Sequence, residues 1–177
     1  MPPVWRLTPL APAGTDELLA EAGYRRIEES RVQRAAIDGH FVADPEVRIA
    51  PSPSDDWLAG FAALSPVAPQ HRETMARMLR SIAAPVGFAR VEDNGQLVAF
   101  ALGVVDGDHV GLFDVLVAPQ ARRRGLARRL TLSIGAWGRD HGAHFAYLQV
   151  VATNTAALPL YASLGFETVY SYGYRVS

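Results

Sequence analysis

Apolar and polar positions along the chain predict a succession of short strands and amphipathic helices. Apolar stretches bounded by Gly, Pro, Asn or Asp are typical of strands, and apolar positions recurring every three or four residues are typical of helices. Strands are predicted at residues 4–7, 25–37, 47–50, 86–92, 96–105, 109–117, 144–151 and 166–176. Helices are predicted at residues 16–22, 54–64, 69–82, 126 to about 142, and 154–164.

Two turn sequences join the three central strands. Residues 93–95 (Asp-Asn-Gly) and 106–108 (Asp-Gly-Asp) contain the Asn-Gly and Asp-Gly pairs that favour tight β-hairpins. The predicted order is therefore two helices, an antiparallel meander, and then helix, strand, helix and strand. This order indicates an α/β fold with a mixed sheet.

A short internal repeat links the two ends of the chain. Residues 5–8 (WRLT) precede a helix that ends in LLAEAGY at 18–24, and residues 146–149 (AYLQ) precede a helix that ends in LYASLGF at 160–166. A strand follows in both places. Two explanations stay open: generic β-α-β patterning, and a remnant of a duplicated domain over residues 1–37.

Composition narrows the class of protein. The 177 residues, 49% of them hydrophobic, suffice for one globular domain with a small appendage. A formal net charge of −1 gives no general attraction to nucleic acid, and the absence of cysteine excludes disulfides and thiolate metal sites. No apolar run is long enough to cross a membrane, and residues 1–12 do not resemble a signal peptide. We expect a cytoplasmic protein without a metal.

An arginine cluster marks a candidate anion site. Arg122, Arg123 and Arg124 precede Gly125, where a helix is predicted to begin. A helix N-terminus already carries partial positive charge, so three further cations destabilise it unless an anion is present. Gly125 and Ala127 would let a bulky anion such as a pyrophosphate approach the backbone N–H groups. The alternative is an arginine-rich surface exposed to solvent.

Two motifs together resemble the GNAT superfamily of N-acetyltransferases. They are V-x-P-x-x-R-x-x-G-x-A at residues 117–127 and N-x-x-A-x-x-L-Y-x-x-L-G-F at residues 154–166. The resemblance covers residues 45–177, and we interpret residues 1–44 as a β-α-β remnant of a second such domain. It implies a mixed, mostly antiparallel sheet with helices on both faces and a splayed parallel strand pair. It also implies transfer of acetyl from acetyl-CoA to a primary amine of a small molecule or a protein N-terminus.

The resemblance also implies roles for individual residues. Backbone groups of Leu116 and Val117 would bind pantetheine, and the Val117 N–H would stabilise the oxyanion. Asn154 would lie beside pantetheine or simply cap a helix, and Tyr161 would protonate the leaving thiolate or simply pack in the core. The pyrophosphate would be surrounded by the N–H groups and arginine side chains of Arg122, Arg123, Arg124, Gly125, Leu126, Ala127 and Arg128.

The sequence departs from the family pattern at the proton acceptor. Some relatives have a glutamate base where this chain has Gln149, and a neutral amide is a poor base. Asp114 is the first candidate for the base, although it could equally be a structural carboxylate. His109 and His144 are weaker candidates, and a chain of waters is a further alternative.

The end of the chain departs from the pattern as well. The family usually has two strands after the last helix, but only about eleven residues follow Gly165. We predict that residues 25–37 supply the missing strand, either in the same chain or across a homodimer. Tyr170, Tyr172 and Tyr174 could line an acceptor pocket or pack against a neighbouring strand. These departures leave a second function open, a non-catalytic or degenerate acyl-CoA-binding module.

Overall fold

The computed structural model describes residues 3–177. Its strands are β1 (Val4–Leu7), β2 (Arg25–Ala36), β3 (Val47–Ala50), β4 (Val86–Asp93), β5 (Gln96–Asp106), β6 (His109–Val117), β7 (Phe145–Val151) and β8 (Glu167–Val176). Its α-helices are α1 (Thr15–Glu21), α2 (Asp55–Leu64), α3 (Arg72–Arg80), α4 (Leu126–Asp140) and α5 (Ala157–Ala162).

Two compact units divide the chain. The central unit is Ala36–Ala146, and the terminal unit combines the described residues up to Ala35 with Tyr147–Ser177. The central unit contains β3 to β6, and its strands lie in the order β6-β5-β4-β3 with antiparallel pairing throughout. The two predicted hairpins are present, and their turns contain Gly95 and Gly107 at φ 74° and 57°.

Helices cover both faces of the central unit's strands. On one face Trp57 of α2 is 2% exposed, stacks on Phe61 at 4.9 Å and donates from Nε1 to the Ala89 carbonyl at 2.9 Å. The other face is covered by α4. The helix packs so closely against Gly103 of β5 that a Cβ added there would lie 2.8 Å from Ile134. Successive residues of β5 point to opposite faces of the sheet, so Leu102 packs with Trp57 and Phe61 of α2 while Gly103 faces α4.

A linker segment, residues 37–46, fixes α4 in place. The Phe41 ring is 1% exposed and packs against α4 so closely that a Cβ on Gly135 would lie 2.1 Å from its Cδ1. The Asp44 N–H donates to Ser133 Oγ at 2.9 Å, and Arg129 donates to the Asp44 carboxylate at 2.7 and 2.8 Å. The first two turns of α4 are thus anchored from outside the helix.

The terminal unit joins the two ends of the sequence. Its strands lie in the order β1-β8-β2-β7, and β8 pairs antiparallel with both β1 and β2. The pairing of β2 with β8 extends along most of both strands, from Arg25 opposite Val176 to Arg34 opposite Glu167. The strand predicted at residues 25–37 therefore pairs with β8 within the same chain.

The internal repeat is visible in the backbone of the terminal unit. At the end of α1, Gly23 N–H donates to the Ala20 carbonyl and Tyr24 N–H to the Leu19 carbonyl, both at 2.9 Å. At the end of α5, the N–H groups of residues 165 and 166 make the equivalent bonds at 3.1 and 3.0 Å. Gly23 and Gly165 both have positive φ, 86° and 80°, as this helix ending requires. The domain division at residue 44 and its origin by duplication stay predictions.

The predicted fold class, α/β with a mixed, mostly antiparallel sheet that includes one parallel pair, is confirmed. Two helix predictions need correction. The helix expected at 69–82 is a 3₁₀ turn, Pro69–His71, followed by α3. The helix expected at 154–164 begins only at Ala157, so Pro159 lies in the first turn, where its missing N–H removes no helical bond.

The helices and the potential metal-binding side chains of residues 3–177 bear on the class of protein. None of the helices within this range has the length and apolar character needed to cross a membrane. Within the same range, no group of three or more His, Cys, Asp or Glu side chains could hold a metal ion.

Candidate active site

The residues predicted to form the site fall into two clusters. The central unit holds the residues of β6 and the arginine loop, which we define as residues 118–125. The terminal unit holds the Asn154 turn and α5 with Tyr161.

The arginine loop delivers an open helix N-terminus. After a 3₁₀ turn, Pro119–Ala121, the backbone takes positive φ at Arg123 (64°) and at Gly125 (77°), and α4 begins at Leu126. No side chain among residues 3–177 caps this helix. Among residues 3–177, no hydrogen bond is formed by the backbone N–H groups of Arg123, Arg124, Gly125, Leu126 and Ala127. These donors are available to an anion.

Space and charge around the loop fit the same ligand. A Cβ on Gly125 would meet no atom of the described residues within 4 Å, so the helix end is open to a bulky group. The side chains of Arg122 and Arg124 are exposed, although Arg122 Nε donates to the Val117 carbonyl at 3.3 Å and Arg124 pairs with Asp93 at 2.6 Å. Arg129 is held instead by Asp44 and Glu46 on the linker segment. The N–H groups at the end of the loop are therefore unpaired donors for an anion, whereas the guanidinium groups of Arg122 and Arg124 already have partners within the protein.

A β-bulge in β6 gives Asp114 an unusual backbone. Phe113 pairs with Leu102 and Leu116 pairs with Phe100, so two residues of β6 lie opposite Ala101 alone. Asp114 is one of them and has φ 52°. Its side chain is exposed on the surface, yet partial desolvation by neighbouring protein raises its pKa above the ordinary value of 3.8. Such a carboxylate can hold a proton at a higher pH than a free aspartate.

The end of β6 is half-buried where pantetheine binding was predicted. Leu116 and Val117 pair with Phe100 and Ala99 on β5, and the following Ala118 N–H donates to the Val98 carbonyl at 2.8 Å. His109 lies at the opposite end of β6, paired with Asp108 at 2.6 Å. The structure therefore separates His109 from the arginine loop by the whole length of a strand.

Asn154 forms a turn that leads into α5, whose N-cap residue is Ala156. Its Oδ1 accepts from the Ala157 N–H at 3.0 Å, and its carbonyl accepts from the Leu158 N–H at 3.1 Å. Its side chain remains exposed, with the amide NH₂ group free to donate elsewhere. A role in this turn and a ligand contact are therefore compatible.

The Tyr161 side chain is buried in the terminal unit. It is 8% exposed, and its ring meets Phe166 edge-on at 5.7 Å. Burial raises the pKa of its phenol above 10.0. Its hydroxyl forms no hydrogen bond with any other residue in the range 3–177. A neutral, unpaired phenol of this kind is suited to donating a proton.

The sequence did not predict the surroundings of Gln149. Gln149 Oε1 accepts from the Tyr172 hydroxyl at 2.6 Å and from Arg6 at 3.3 Å, and the Arg6 guanidinium lies 3.8 Å from the Tyr172 ring centroid. Tyr172 also meets Tyr174 edge-on, at 5.7 Å. The only signals in the sequence were the alternating tyrosines and the internal repeat that contains Arg6.

Comparison with known proteins identifies the type of domain. The family model described as "Acetyltransferase (GNAT) family" matches residues 55–166. The chain is 25% identical, over 99% of its length and 73% of the relative's, to "Uncharacterized N-acetyltransferase YobR" of Bacillus subtilis. It is 38% identical, over 44% of its length and 53% of the relative's, to the "[Ribosomal protein bS18]-alanine N-acetyltransferase" of Escherichia coli K12.

Solved structures share the fold. One is the structure of AAC(6')-Iy in complex with the bisubstrate analog CoA-S-monomethyl-acetylneamine. It superposes with a TM-score of 0.58 at 19% identity, over 68% of this chain and 90% of that chain.

Proposed function

Because the chain belongs to the GNAT acetyltransferase family, we propose that it transfers the acetyl group of acetyl-CoA to a primary amine. The observation that carries the proposal is the arginine loop, with its unpaired N–H groups and open space at Gly125. Acetyl-CoA is proposed as cosubstrate because a structural neighbour was solved with a CoA-containing analog. The acceptor is proposed to be a small-molecule amine or a protein N-terminus. A cytoplasmic location and a homodimer stay predictions.

The arginine loop is proposed to hold the cosubstrate. Backbone groups of Leu116 and Val117 would bind the pantetheine amides, and Asn154 in the terminal unit is proposed separately as a pantetheine contact. The first turn of α4, including Ala127 and Arg128, would hold the pyrophosphate through its N–H groups, because a helix N-terminus attracts an anion. Exposed guanidinium groups on Arg122 and Arg123 would add charge-assisted contacts.

Proton transfer is proposed to involve two residues with raised pKa values. Tyr161 stays protonated at neutral pH and would donate to the departing thiolate. Asp114 would accept the proton of the attacking amine, directly or through water, because its raised pKa makes it a stronger base than an ordinary aspartate. The neutral amine becomes positively charged as it attacks the thioester carbonyl, so a proton acceptor is needed.

Tyr161→Phe tests the proposal. Steady-state acetylation of a panel of amines by the wild type is expected, and the variant should lose about a hundredfold in kcat, the usual contribution of a general acid. Its dissociation constant for acetyl-CoA should not change, because the Phe166 contact needs only the ring. Tyr24→Phe, at a half-buried tyrosine of the terminal unit with no proposed role, is the matched control.

Two results would contradict the proposal in different ways. Binding of acetyl-CoA without turnover of any amine would favour the non-catalytic acyl-CoA-binding module. Full activity of Tyr161→Phe would show that the Tyr161 hydroxyl does not protonate the departing thiolate.

A further inference from the structure

The terminal unit contains an open cavity of about 330 Å³, a volume typical of small-molecule pockets. Every residue that lines the cavity belongs to this unit, and neither Asn154 nor Tyr161 is among them. It is bordered by β8, the end of β1, the loop that follows β1, the start of α1, and Arg26 of β2. We infer that this cavity binds an α-amino acid with an apolar side chain. The inference goes beyond the proposed acetyltransferase function and does not depend on it.

A glycine in β8 leaves the cavity open. Gly173 lies opposite Leu7 of β1 on one side and opposite Glu29 of β2 on the other. A Cβ on Gly173 would lie 3.3 Å from Arg26 Nε and 3.6 Å from the Glu28 carbonyl oxygen. A larger side chain at residue 173 would therefore enter the space beside the Arg26 guanidinium.

The Arg26 guanidinium is the cation that a ligand can reach. Its ion pairs are long, 4.0 Å from Nη1 to Asp16 Oδ2 and 3.9 Å from Nη2 to Glu29 Oε2, and it forms no hydrogen bond within residues 3–177. Arg175, in contrast, donates to Asp16 and to the Tyr24 carbonyl, both at 2.8 Å. Arg26 therefore has its planar set of donors available for a carboxylate.

Two carboxylates border the same space. The hydrogen bond from Arg175 lowers the pKa of Asp16 below 3.8, so Asp16 is ionised at neutral pH. That bond occupies Oδ1, while Oδ2 accepts no hydrogen bond from the described part of the chain. Glu17 is exposed, lines the cavity, and has no cation within 4 Å among residues 3–177. The cavity thus presents one available cation next to two anions.

An α-amino acid matches this arrangement of charges. Its ammonium and carboxylate groups lie on adjacent carbons, so a single ligand can reach Arg26 with one group and Asp16 Oδ2 with the other. Two shorter, charge-assisted contacts would then replace one ion pair of 4.0 Å. Leu7 and Pro9 line the cavity as well and offer apolar surface to the side chain of the ligand. A ligand with a single charge would satisfy only one of the two protein groups.

Calorimetric titration of L-leucine into the wild type, without acetyl-CoA, tests the inference. Two matched ligands each lack one charged group: 4-methylpentanoate has no ammonium, and 3-methylbutylamine has no carboxylate. We expect saturable binding of leucine at one molecule per chain. Each matched ligand should bind about tenfold more weakly or worse, because it loses one charge-assisted contact.

Variants of the cavity locate the bound leucine. Arg26→Gln should weaken binding about tenfold or more, since the amide has no charge for the carboxylate. Arg25→Gln is the matched control, because Arg25 precedes Arg26 in β2, points to the other face of the strand and does not line the cavity.

Gly173→Val should abolish binding by filling the cavity. The backbone of Gly173 is outside the left-handed region, so valine can adopt its conformation, and circular dichroism checks that the variant folds.

The outcomes are distinct. Absence of saturable leucine binding to the wild type would overturn the inference, and so would equally tight binding of either matched ligand. Leucine binding that is unchanged in Arg26→Gln, or in a folded Gly173→Val, would place the ligand elsewhere on the chain and would also overturn it. Acetylation of amines by the wild type tests the proposed function separately, so failure of one proposal leaves the other standing.

Discussion

Desolvation raises the pKa values of Tyr161 and Asp114, and this suits the first to donate a proton and the second to accept one. Desolvation favours the protonated form of both Tyr161 and Asp114. For Tyr161 this secures a neutral acid through the physiological range. For Asp114 it means that the carboxylate binds a proton more readily than a free aspartate does, as a base requires.

The pH dependence of Asp114→Asn follows from the raised pKa of Asp114. With an acceptor amine of pKa near 8, log kcat/KM should rise with slope one below that pH, because only the neutral amine reacts. Below the pKa of Asp114 the wild-type slope should become two, since base and amine must both lose a proton. The variant should keep slope one throughout and lose about a hundredfold in rate.

Asparagine is the suitable replacement because it tolerates the positive φ of residue 114. The variant is therefore expected to fold, and circular dichroism checks this. A slope of two that survives in Asp114→Asn would show that another group accepts the proton.

Single residues were predictable where a motif defined them and unpredictable where distant segments meet. The motif placed Asn154 at the start of a helix, and the structure shows its side chain bonded to the Ala157 N–H. The partners of Gln149 come from β1 and β8, and residues 6 and 149 are 143 positions apart. No local pattern encodes such a pairing.

Among the secondary-structure elements, the packing of the linker segment against α4 requires a glycine at position 135. Gly135→Ala would gain about 1 kcal/mol of helix propensity. The added Cβ would, however, lie 2.1 Å from a buried ring of Phe41, and overpacking of this kind costs roughly 1–3 kcal/mol. The larger cost should prevail, so we expect a lower free energy of unfolding by urea denaturation.

Gly39→Ala is the control for this variant. Residue 39 lies in the same linker segment, where an added Cβ meets no atom within 4 Å. Its stability should stay within about 0.5 kcal/mol of wild type. Equal stability of the two variants would mean that the Phe41 contact does not constrain α4.

The ends of strands and helices were predictable where turn-forming residues such as Gly and Asn occur in the sequence. The strand predicted at residues 109–117 was correct, as were the hairpin turns at residues 93–95 and 106–108, because Asn-Gly and Asp-Gly pairs define those turns. The start of α5 was misplaced by three residues because the Asn154 motif reads as helical, although Asn154 forms a turn before the helix. The bulge at Asp114 had no signal in the sequence.

At the scale of the whole molecule, the fold class was predictable but the route of the chain through the terminal unit was not. The prediction left open whether residues 25–37 complete a sheet within one chain or across two. The pairing of β2 with β8 answers this in favour of one chain. Strand pairing over such a sequence distance depends on tertiary packing, which a single-sequence pattern does not contain.

The proposed function requires that the arginine loop bind the pyrophosphate of acetyl-CoA. Calorimetric titration of acetyl-CoA into wild type, Gly125→Glu and Gly142→Glu tests this binding. The two glycines lie at opposite ends of α4, both with positive φ (77° and 92°) and open space. Each substitution therefore brings the same strain and charge.

Micromolar binding by wild type and Gly142→Glu, with binding lost in a folded Gly125→Glu, is the predicted result. Binding of equal strength by Gly125→Glu, or no binding by the wild type, would contradict the account.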